Sequence, residues 1–457
     1  MTVDIQTIRT PGLGDATYLL IHGDRAVVVD PQRDLGRFLE PAERAGAAIR
    51  FVLETHLHND YVSGGLALAA QTGAELVLPA AAGAAFRHTP AFHLEDLGDD
   101  DLAVRPIHTP GHTPEHTSYL VLVGGEPVAV FSGGSLLVGS AGRPDLLGSD
   151  RADSLVRLQY RSVHRLAGLP DHLGLFPTHG EGSFCTAGGA GRTVSTIGEE
   201  RRTNPVLAYP DEDAFVAGQL TGLQPYPVYY ARMGPINLMG PAPMPETVIP
   251  ELTVDDIRSL PAEVTLVDAR PRRVHAAGHV PGSLGLELRD DFGTWAGWLL
   301  PFNGPIALVL EAGQDLDEAV VQLARIGFED VRGVMWGLEA WAAAGLPLAS
   351  FDTVDVAGFG EAVGRGEQIL DVRSPGEWEQ GWLEGSLHRY VPDLLGPLPD
   401  GIDPGRPVWV ACASGYRSAF AASLLERHGI RPVVLIEAGV DEVRRHLADL
   451  AVARLPE

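Results

Sequence analysis

The chain has only two cysteines in 457 residues, and this scarcity excludes a fold that depends on disulfide bonds. Positive charge is also scarce, with 34 lysines and arginines against 60 aspartates and glutamates and a formal net charge of -26. Because a nucleic acid needs a basic surface, we expect no nucleic-acid partner. No apolar run approaches the length of a membrane span, and the first ten residues lack the basic start and apolar block of a signal peptide. We therefore expect a cytoplasmic protein with no membrane partner.

The first half of the chain contains histidines at the spacing of metal ligands. Residues 55–65 read T-H-L-H-N-D-Y-V-S-G-G and follow a strand-like apolar run at residues 51–53. His56, His58 and Asp60 thus lie on a loop that leaves a strand, where short polar residues and two glycines let the backbone bend. This pattern predicts a metal site in which Asp60 is a ligand or a general base.

Two later segments supply further imidazoles. His112 lies in the Pro-Gly turn of T-P-G-H-T-P-E-H-T-S-Y, residues 109–119, and His179 follows a short apolar run in F-P-T-H-G-E-G-S-F-C, residues 176–185. We expect His112 and His179 to be metal ligands, and we expect His116 to support the site without binding the ion. Cys185 is either structural or close to the metal, and both interpretations stay open.

These motifs resemble the metallo-β-lactamase fold and, within it, the branch that contains persulfide dioxygenases and glyoxalase II. The first cluster is similar to the family motif H-x-H-x-D-H, and the Pro-Gly-His turn and the late histidine follow in the family's order. Residues 131–146 read F-S-G-G-S-L-L-V-G-S-A-G-R-P-D-L, similar to the family's F-T-G-D-x-L-x-x-G-x-x-G-R-x-D-L. The resemblance covers about the first half of the chain. It implies an αββα sandwich, and it implies that Arg143 of this stretch binds substrate.

Two positions depart from the family's pattern. Tyr61 stands where the family has the last histidine of its first motif, and Gly134 stands where it has a metal-binding aspartate. We therefore expect one metal ion at most, either Fe(II) or Zn(II). Two ligand arrangements remain open: Asp60 supplies the missing carboxylate, or three histidines bind the ion alone. The expected three are His56, His58 and His112.

The second half contains a cysteine in a setting that favours a reactive thiolate. Residues 408–418 read V-W-V-A-C-A-S-G-Y-R-S, which places Cys412 between an apolar strand and a predicted helix over residues 418–428. The helix start and Arg417 both stabilise a thiolate, and Ser414 and Gly415 let the loop curl around the sulfur. The loop resembles the rhodanese active-site loop C-x-x-G-x-R. The resemblance implies that Cys412 carries sulfane sulfur, with Arg417 in catalysis and Ser414 and Gly415 at the substrate.

An internal repeat indicates two copies of this α/β unit. Residues 266–283 read L-V-D-A-R-P-R-R-V-H-A-A-G-H-V-P-G-S, and residues 369–386 read I-L-D-V-R-S-P-G-E-W-E-Q-G-W-L-E-G-S with the same Asp, Arg, Gly and Ser spacing. Aligning Gly313 with Gly415 places Leu310 opposite Cys412. Leucine cannot carry sulfur, so only the second copy is expected to be reactive.

These observations predict an α/β protein of three domains. An αββα metallo-β-lactamase sandwich occupies residues 1–248 and ends in a wrapping segment, and two rhodanese-like domains with parallel sheets occupy residues 249–350 and 351–457. The predicted function is metal-dependent oxidation of a glutathione-like persulfide to sulfite, coupled to sulfur transfer through Cys412. The alternatives are a zinc-dependent thioester hydrolase with Asp60 as general base, or a metal domain that only scaffolds the sulfurtransferase. A homodimer is expected from the resemblance alone.

Overall fold

The computed structural model describes residues 3–186, 192–245 and 248–453. Two compact units form, one from Met1–Glu246 with Val321–Gly327, the other from Thr247–Val320 with Phe328–Glu457. Residues 454–457, at the end of the third predicted domain, lie outside the described residues. Among the described helices, none is both long enough and apolar enough to cross a membrane.

The first unit contains two six-stranded sheets, with strand orders β1-β2-β3-β4-β5-β6 and β14-β13-β10-β9-β8-β7, and a small β11-β12 pair. Their strands are β1 Val3–Thr10, β2 Asp15–His22, β3 Arg25–Val29, β4 Ala48–Leu53, β5 Glu75–Pro79, β6 Thr89–Ala91, β7 Leu97–Gly98, β8 Leu102–His108, β9 Thr117–Val123, β10 Glu126–Gly133, β11 Leu136–Leu137, β12 Ser140–Ala141, β13 Gly174–Pro177 and β14 Ser195–Thr196. The runs of valine, leucine and isoleucine in β2, β3 and β9 are buried on both faces, as expected for strands between two covering layers.

Helices cover the outer face of each sheet. They are α1 Gly36–Arg44, α2 Gly65–Thr72, α3 Ser149–Ala167, α4 Ile197–Thr203, α5 Glu212–Leu220 and α6 Tyr230–Met239, and a 3-10 turn spans Pro205–Leu207. Phe38 of α1 and Leu68 of α2 pack on the first sheet, while Val156 of α3 and Phe215 of α5 pack on the second. A third apolar cluster lies between the sheets, so the first unit is an αββα sandwich.

The second unit contains two parallel sheets, with strand orders β16-β15-β17-β18 and β19-β23-β22-β20-β21. Its strands are β15 Thr265–Asp268, β16 Leu284–Gly285, β17 Ile306–Leu310, β18 Val331–Trp336, β19 Asp352–Val354, β20 Gln368–Asp371, β21 Leu387–His388, β22 Val408–Ala411 and β23 Pro432–Leu435. The remaining helices are α7 Val254–Arg258, α8 Arg272–Ala277, α9 Phe292–Leu299, α10 Leu316–Arg325, α11 Glu339–Ala343, α12 Val356–Arg365, α13 Pro375–Glu379, α14 Tyr416–Arg427 and α15 Val440–Ala453, and a 3-10 turn spans Val391–Leu395.

Strand register confirms that the two parallel sheets are copies. Asp268 pairs with Val309 in the first sheet, and Asp371 pairs with Ala411 in the second. The next residue along the chain is Leu310 in the first copy and Cys412 in the second. The structure therefore places a leucine where the second copy has its cysteine, as the sequence alignment predicted.

Candidate functional site

The predicted metal-binding side chains all come from loops at strand ends. The loop after β4 carries His56, His58 and Asp60, the turn between β8 and β9 carries His112, and the residue stretch after β13 carries His179. All five side chains are buried, with at most 1% of each residue exposed. The fold therefore brings three distant segments of the sequence to one buried cluster.

His56, His112 and His179 form the centre of this cluster, and each ring uses its Nδ1 atom for a hydrogen bond to a neighbouring residue. The Nδ1 atom of each donates a hydrogen bond outwards: His56 to Thr55 Oγ1 at 2.9 Å, His112 to the Arg143 carbonyl at 2.8 Å, and His179 to Asp15 Oδ1 at 2.8 Å. The Thr55 hydroxyl accepts because its own proton goes to the Asp30 carboxylate. We assign the Nδ1–H tautomer to all three on these partners, which leaves each Nε2 with a lone pair.

The three lone pairs converge on one small space. The Nε2 atoms of His56 and His179 lie 3.3 Å apart, and His112 Nε2 has no hydrogen-bond partner among the described residues. One ligand atom from each ring lies within 4.8 Å of the others. Burial lowers the pKa of all three rings, those of His56 and His112 well below the usual value, and the neighbouring imidazoles lower them further. Neutral imidazoles with convergent lone pairs are the donor set of a metal site.

His58 lies beside this cluster and contacts two carboxylates. Its Nε2 lies 3.2 Å from Asp30 Oδ1 and 3.2 Å from Glu54 Oε2. Although burial opposes a charge here, these two carboxylates raise the pKa of His58 well above its usual value. The structure thus brings His56, His112 and His179 together as one group of possible ligands, and it places His58 in two others, one with Asp60 and His179 and one with Asp30 and Glu54. The ligand role predicted for His58 stays a prediction.

Tyr61 packs against the ring of His58. The Tyr61 hydroxyl lies 3.0 Å from His58 Nε2 and 3.1 Å from the Asp30 carbonyl oxygen, and the two rings stack at 4.3 Å. Sequence reasoning missed Asp30 and Glu54. Each ends or follows an apolar strand, a position that also suits an ordinary buried polar residue, so the pattern alone gave no signal.

Asp60 lies beside the three-histidine cluster. Its Oδ2 atom is 3.3 Å from His179 Nδ1, and a second grouping of possible metal ligands comprises His58, Asp60 and His179. Burial and the adjacent Asp15 raise the pKa of Asp60 to about 7, and burial raises the pKa of Asp15 to about 7 as well. Both carboxyl groups are buried, and each affects the pKa of the other. Asp15 was not singled out in the sequence because it opens an ordinary strand.

At residue 134, where the family has an aspartate and this chain has glycine, the His112 ring fills the space of a side chain. A Cβ atom added to Gly134 would lie 2.2 Å from His112 Cδ2 and 2.8 Å from His112 Nε2. His112 therefore occupies the space into which a side chain at residue 134 would project. His116 holds the same backbone from the other side, since its Nε2 accepts a hydrogen bond from the Gly134 amide at 2.9 Å while its Nδ1 lies 2.9 Å from Thr109 Oγ1. Both ring nitrogens of His116 therefore form hydrogen bonds within the protein.

Arg143 and Cys185 lie next to the cluster and are both buried. The Arg143 guanidinium is held by Asp145, with Nε–Oδ1 and NH2–Oδ2 distances of 2.7 Å, and lies 4.7 Å from the Tyr226 ring. Burial, followed by the charges of Asp60 and Asp15, raises the pKa of the Cys185 thiol well above its usual value. Cys185 is therefore a neutral thiol close to the histidine cluster, and Arg143 is already paired within the protein.

The last helix of the first unit supports the histidine loop. Asn237 of α6 donates from its side-chain amide to the carbonyls of His58 and Tyr61, both at 2.9 Å, and accepts from the Ser63 amide at 2.9 Å. These three bonds fix the backbone of the loop. The segment over residues 201–245, rich in proline and tyrosine, therefore contributes directly to the geometry of the cluster.

The second predicted site is a loop at the start of α14. Cys412 is buried, and the Gly415 amide lies 3.1 Å from its Sγ atom. Gly415 has a φ of 82°, and a Cβ there would lie 1.9 Å from the Ile436 carbonyl oxygen, so only glycine fits. Ser414 is exposed, whereas Arg417 faces the protein and forms a bidentate ion pair with Glu377. Sequence reasoning missed Glu377.

Comparison with known proteins finds family matches in three parts of the chain. Residues 10–179 match the metallo-beta-lactamase superfamily, and residues 253–344 and 357–446 each match the rhodanese-like domain. The solved metallo-beta-lactamase from Staphylococcus aureus subsp. aureus COL is 25% identical, with a TM-score of 0.67 over 74% of this chain and 99% of that one.

Two curated relatives each match less than half of this chain. The hydroxyacylglutathione hydrolase of Acidiphilium cryptum is 39% identical over 24% of this chain, which spans 47% of the hydrolase. The mitochondrial persulfide dioxygenase of Homo sapiens is 29% identical over 47% of this chain, which spans 80% of the dioxygenase. The chain thus carries one metallo-beta-lactamase superfamily domain followed by two rhodanese-like domains.

Proposed function

We propose that the protein processes low-molecular-weight persulfides, such as that of glutathione, by oxidation at the first domain and by sulfur transfer through Cys412. One observation carries the proposal: a single chain contains both a buried group of three imidazoles, His56, His112 and His179, and a buried cysteine, Cys412, whose sulfur accepts a hydrogen bond from a loop amide. The relative named persulfide dioxygenase supports the oxidative half, and the match to rhodanese-like domains supports the transfer half.

The residues of the cluster fit one metal ion. His56, His112 and His179 would hold it, because their lone pairs already point at a common centre and their outward N–H groups are fixed by Thr55, Arg143 and Asp15. A bound Fe(II) would supply the redox chemistry for R–S–SH + O₂ + H₂O → R–SH + SO₃²⁻ + 2H⁺, in which the sulfane sulfur loses four electrons to dioxygen. Asp60 lies at the edge of the cluster and would orient water or accept a proton.

Sulfur transfer at Cys412 needs no redox partner. The Cys412 thiolate attacks the sulfane sulfur of R–S–S⁻, the S–S bond of the donor breaks, and R–S⁻ leaves with the electron pair. The Gly415 amide points at Sγ and would stabilise its negative charge. Attack of an acceptor thiolate or sulfite on the terminal sulfur of the Cys412 persulfide then returns Cys412 to its starting state.

A second candidate is hydrolysis of a glutathione thioester. The 39% identity to a hydroxyacylglutathione hydrolase favours it, and three neutral imidazoles suit Zn(II) equally well. When bound, Zn(II) would activate water for attack on the thioester carbonyl, and Asp60 would serve as the general base. Persulfide oxidation consumes dioxygen and thioester hydrolysis does not, so oxygen uptake distinguishes the two candidate functions.

The decisive experiment measures oxygen uptake and sulfite in one sample. The protein is purified anaerobically, loaded with Fe(II), assayed for metal content, and given glutathione persulfide. Oxygen uptake matched by sulfite supports the dioxygenase. Hydrolysis of S-lactoylglutathione without oxygen uptake by the Zn(II)-loaded protein supports the hydrolase, and a protein that retains neither metal supports a scaffolding domain.

Two variants separate the halves of the proposal. Cys412→Ser is expected to abolish sulfur transfer and to leave metal content and oxygen uptake unchanged, because Cys412 belongs to the second unit. His112→Gln is expected to lower metal affinity about 10- to 100-fold or more while Cys412 still transfers sulfur. His58→Gln is the comparison variant, in which a different buried histidine of the site is replaced. It should lose less metal than His112→Gln because His58 is paired with carboxylates.

A further inference from the structure

The first rhodanese-like copy lacks the reactive residues of the second. Where the second copy has Cys412, Arg417 and Glu377, the first has Leu310, Asp315 and Val274. Both copies belong to one compact unit, and side chains of the first copy bind the backbone of the second near its cysteine. A copy that cannot carry sulfur can therefore still act on the reaction through these contacts.

The Cys412 loop takes its shape from the chain segment that follows β23. A Cβ atom added to Gly415 would lie 1.9 Å from the Ile436 carbonyl oxygen, so the loop backbone packs directly on that carbonyl group. The Val440 amide donates to the Cys412 carbonyl oxygen at 2.9 Å. Any movement of Ile436 therefore reaches Gly415, whose amide lies 3.1 Å from Cys412 Sγ.

An arginine of the first copy binds the same carbonyl group. Arg272, the first residue of α8, donates from Nε to the Ile436 carbonyl oxygen at 3.0 Å and from NH1 to Glu287 Oε2 at 2.5 Å. Only 21% of the Arg272 side chain and 18% of the Glu287 side chain are exposed, so solvent screens this pair weakly. Ala276 of α8 and Ile436 belong to one buried apolar cluster. The carbonyl group against which Gly415 packs is thus fixed by a residue of the other copy.

The first copy also holds the start of α14. Tyr416, the first residue of this helix, donates its hydroxyl proton to the Glu287 carbonyl oxygen at 3.2 Å, and the Arg289 guanidinium lies 4.3 Å from the centre of its ring. Burial raises the pKa of Tyr416 well above its usual value, so the hydroxyl keeps the proton that it donates. Gly415 is therefore held by the first copy on two sides, through Ile436 and through Tyr416. Glu287 joins the two contacts, because its side chain binds Arg272 and its carbonyl binds Tyr416.

The second copy lacks equivalents of these residues. Counting from the Asp–Arg motif that the copies share, the residues corresponding to Arg272, Glu287 and Arg289 are Pro375, Tyr390 and Pro392. Proline has no side-chain donor, so neither can replace an arginine. The loops differ as well, since a Cβ atom added to Gly313, the counterpart of Gly415, would meet no described atom within 4 Å beyond its chain neighbours. The loop that is packed and held by arginine is therefore the one that contains the cysteine.

We propose that the first rhodanese-like copy holds the Cys412 loop in its reactive shape, with Arg272 and Glu287 as positioning residues for sulfur transfer. Arg272 acts through the Ile436 carbonyl, which fixes Gly415, and the Gly415 amide points at Cys412 Sγ. An amide that is already in place when the thiolate forms stabilises it without a cost of reorganisation. This inference rests on the proposed sulfur-carrier role of Cys412 and leaves its transfer step unchanged.

The first test is Arg272→Met in the full-length protein, which keeps an unbranched apolar side chain and removes both hydrogen bonds. Sulfur transfer from glutathione persulfide to sulfite is measured without oxygen, so that oxidation at the first domain consumes no persulfide. We expect kcat to fall about 10- to 100-fold with little change in KM, because the reacting sulfur is misplaced. Arg272→Lys keeps a charged donor and should recover part of kcat. Arg273→Met is the matched control, since Arg273 is the next residue, is exposed, and pairs with the Glu437 side chain and not with a carbonyl group; it should change kcat by less than about twofold.

Two results would overturn the proposal. One is a wild-type kcat in Arg272→Met, and the other is an equal loss in Arg273→Met, which would mean that any contact between the copies has the same effect. If Arg272→Met does not fold, Tyr416→Phe replaces it, because this change removes only the hydroxyl that binds the Glu287 carbonyl and keeps the ring. We expect Tyr416→Phe to lower kcat by about two- to tenfold, and an unchanged kcat would count equally against the proposal.

A second measurement does not depend on sulfur transfer. Hydrogen–deuterium exchange followed by mass spectrometry reports on the backbone amides of residues 413–417. Exchange of these amides should be about tenfold faster or more in Arg272→Met, and unchanged in Arg273→Met. If the parent chain transferred no sulfur from any donor, the carrier role of Cys412 would fail, yet faster exchange would still show that the first copy holds the loop. Unchanged exchange in Arg272→Met would refute the positioning role itself.

Discussion

Restoring the family's aspartate at residue 134 is expected to damage the metal centre. The Cβ of any new side chain at Gly134 would lie 2.2 Å from His112 Cδ2, far inside van der Waals contact. The His112 ring cannot swing away freely, because its Nδ1 is held by the Arg143 carbonyl at 2.8 Å and Gly142 packs behind it. Overpacking of a pinned ring, together with burial of a new charge, should cost about 2–4 kcal/mol of unfolding free energy.

Urea unfolding of the metal-depleted protein measures this cost, and calorimetric titration with Zn(II) measures the affinity. Gly134→Asp should lose both stability and affinity, and Gly134→Ala should lose the part of that stability that comes from overpacking, because it carries the same Cβ without the charge. Gly36→Ala is the matched control, since Gly36 is exposed and its added Cβ meets only the Glu40 side chain at 3.6 Å. It should change stability by less than about 1 kcal/mol.

A double variant isolates the contact. In a His112→Ala background the ring is gone, so adding Ala at residue 134 should cost less than about 1 kcal/mol, and the coupling between the two sites should be large. The reasoning is refuted if Gly134→Asp binds metal more tightly than the parent at unchanged stability. That result would mean that the His112 ring moves aside and that the resemblance to the family motif outweighs the local packing.

Three further outcomes are expected. Asn237→Ala should lower the unfolding free energy by about 2–3 kcal/mol and weaken metal retention, because three bonds to the histidine loop are lost; urea unfolding and metal analysis check this. The pKa of Glu377 lies at about 2 in the folded chain against an ordinary 4.5. Its contribution to stability is therefore complete above about pH 4.5 and is lost as the pH falls toward 2, so the wild-type advantage over Glu377→Gln, about 1–2 kcal/mol after screening, should shrink in acid unfolding curves. Leu310→Cys should form no persulfide detectable by mass spectrometry, because Arg417 and Glu377 have no counterparts there.

Local sequence patterns predicted most of the fold. Strand-like alternation of apolar residues at 16–20 and 26–30 predicts two strands, and the structure has β2 and β3 there. Apolar residues spaced by three and four at 35–47 and 154–166 predict two helices, and these coincide with α1 and α3 to within five residues. Apolar periodicity is a local property, so these elements could be read directly. The repeat spacing placed Leu310 opposite Cys412, which strand pairing confirms.

The candidate site was predicted less completely. Spacing identified the histidines because their motifs are local, but spacing does not give ring orientation. His58 differs from His56 because Asp30 and Glu54, distant or unremarkable in sequence, contact its Nε2 atom in three dimensions and raise its pKa. Glu377 was missed for the same reason, since its partner Arg417 lies 40 residues away. The properties that sequence could not give are those that arise from pairs of residues on different elements.

The convergent Nε2 atoms also have a thermodynamic consequence. Three buried acceptors without donors between them raise the free energy of the metal-free fold, and a cation that enters replaces this repulsion with three bonds. The folded chain is then linked to the free metal concentration, and a concentration 1,000 times Kd would add about 4 kcal/mol of stability. A measured melting temperature of this protein would thus report the metal supply during its preparation as well as the sequence itself.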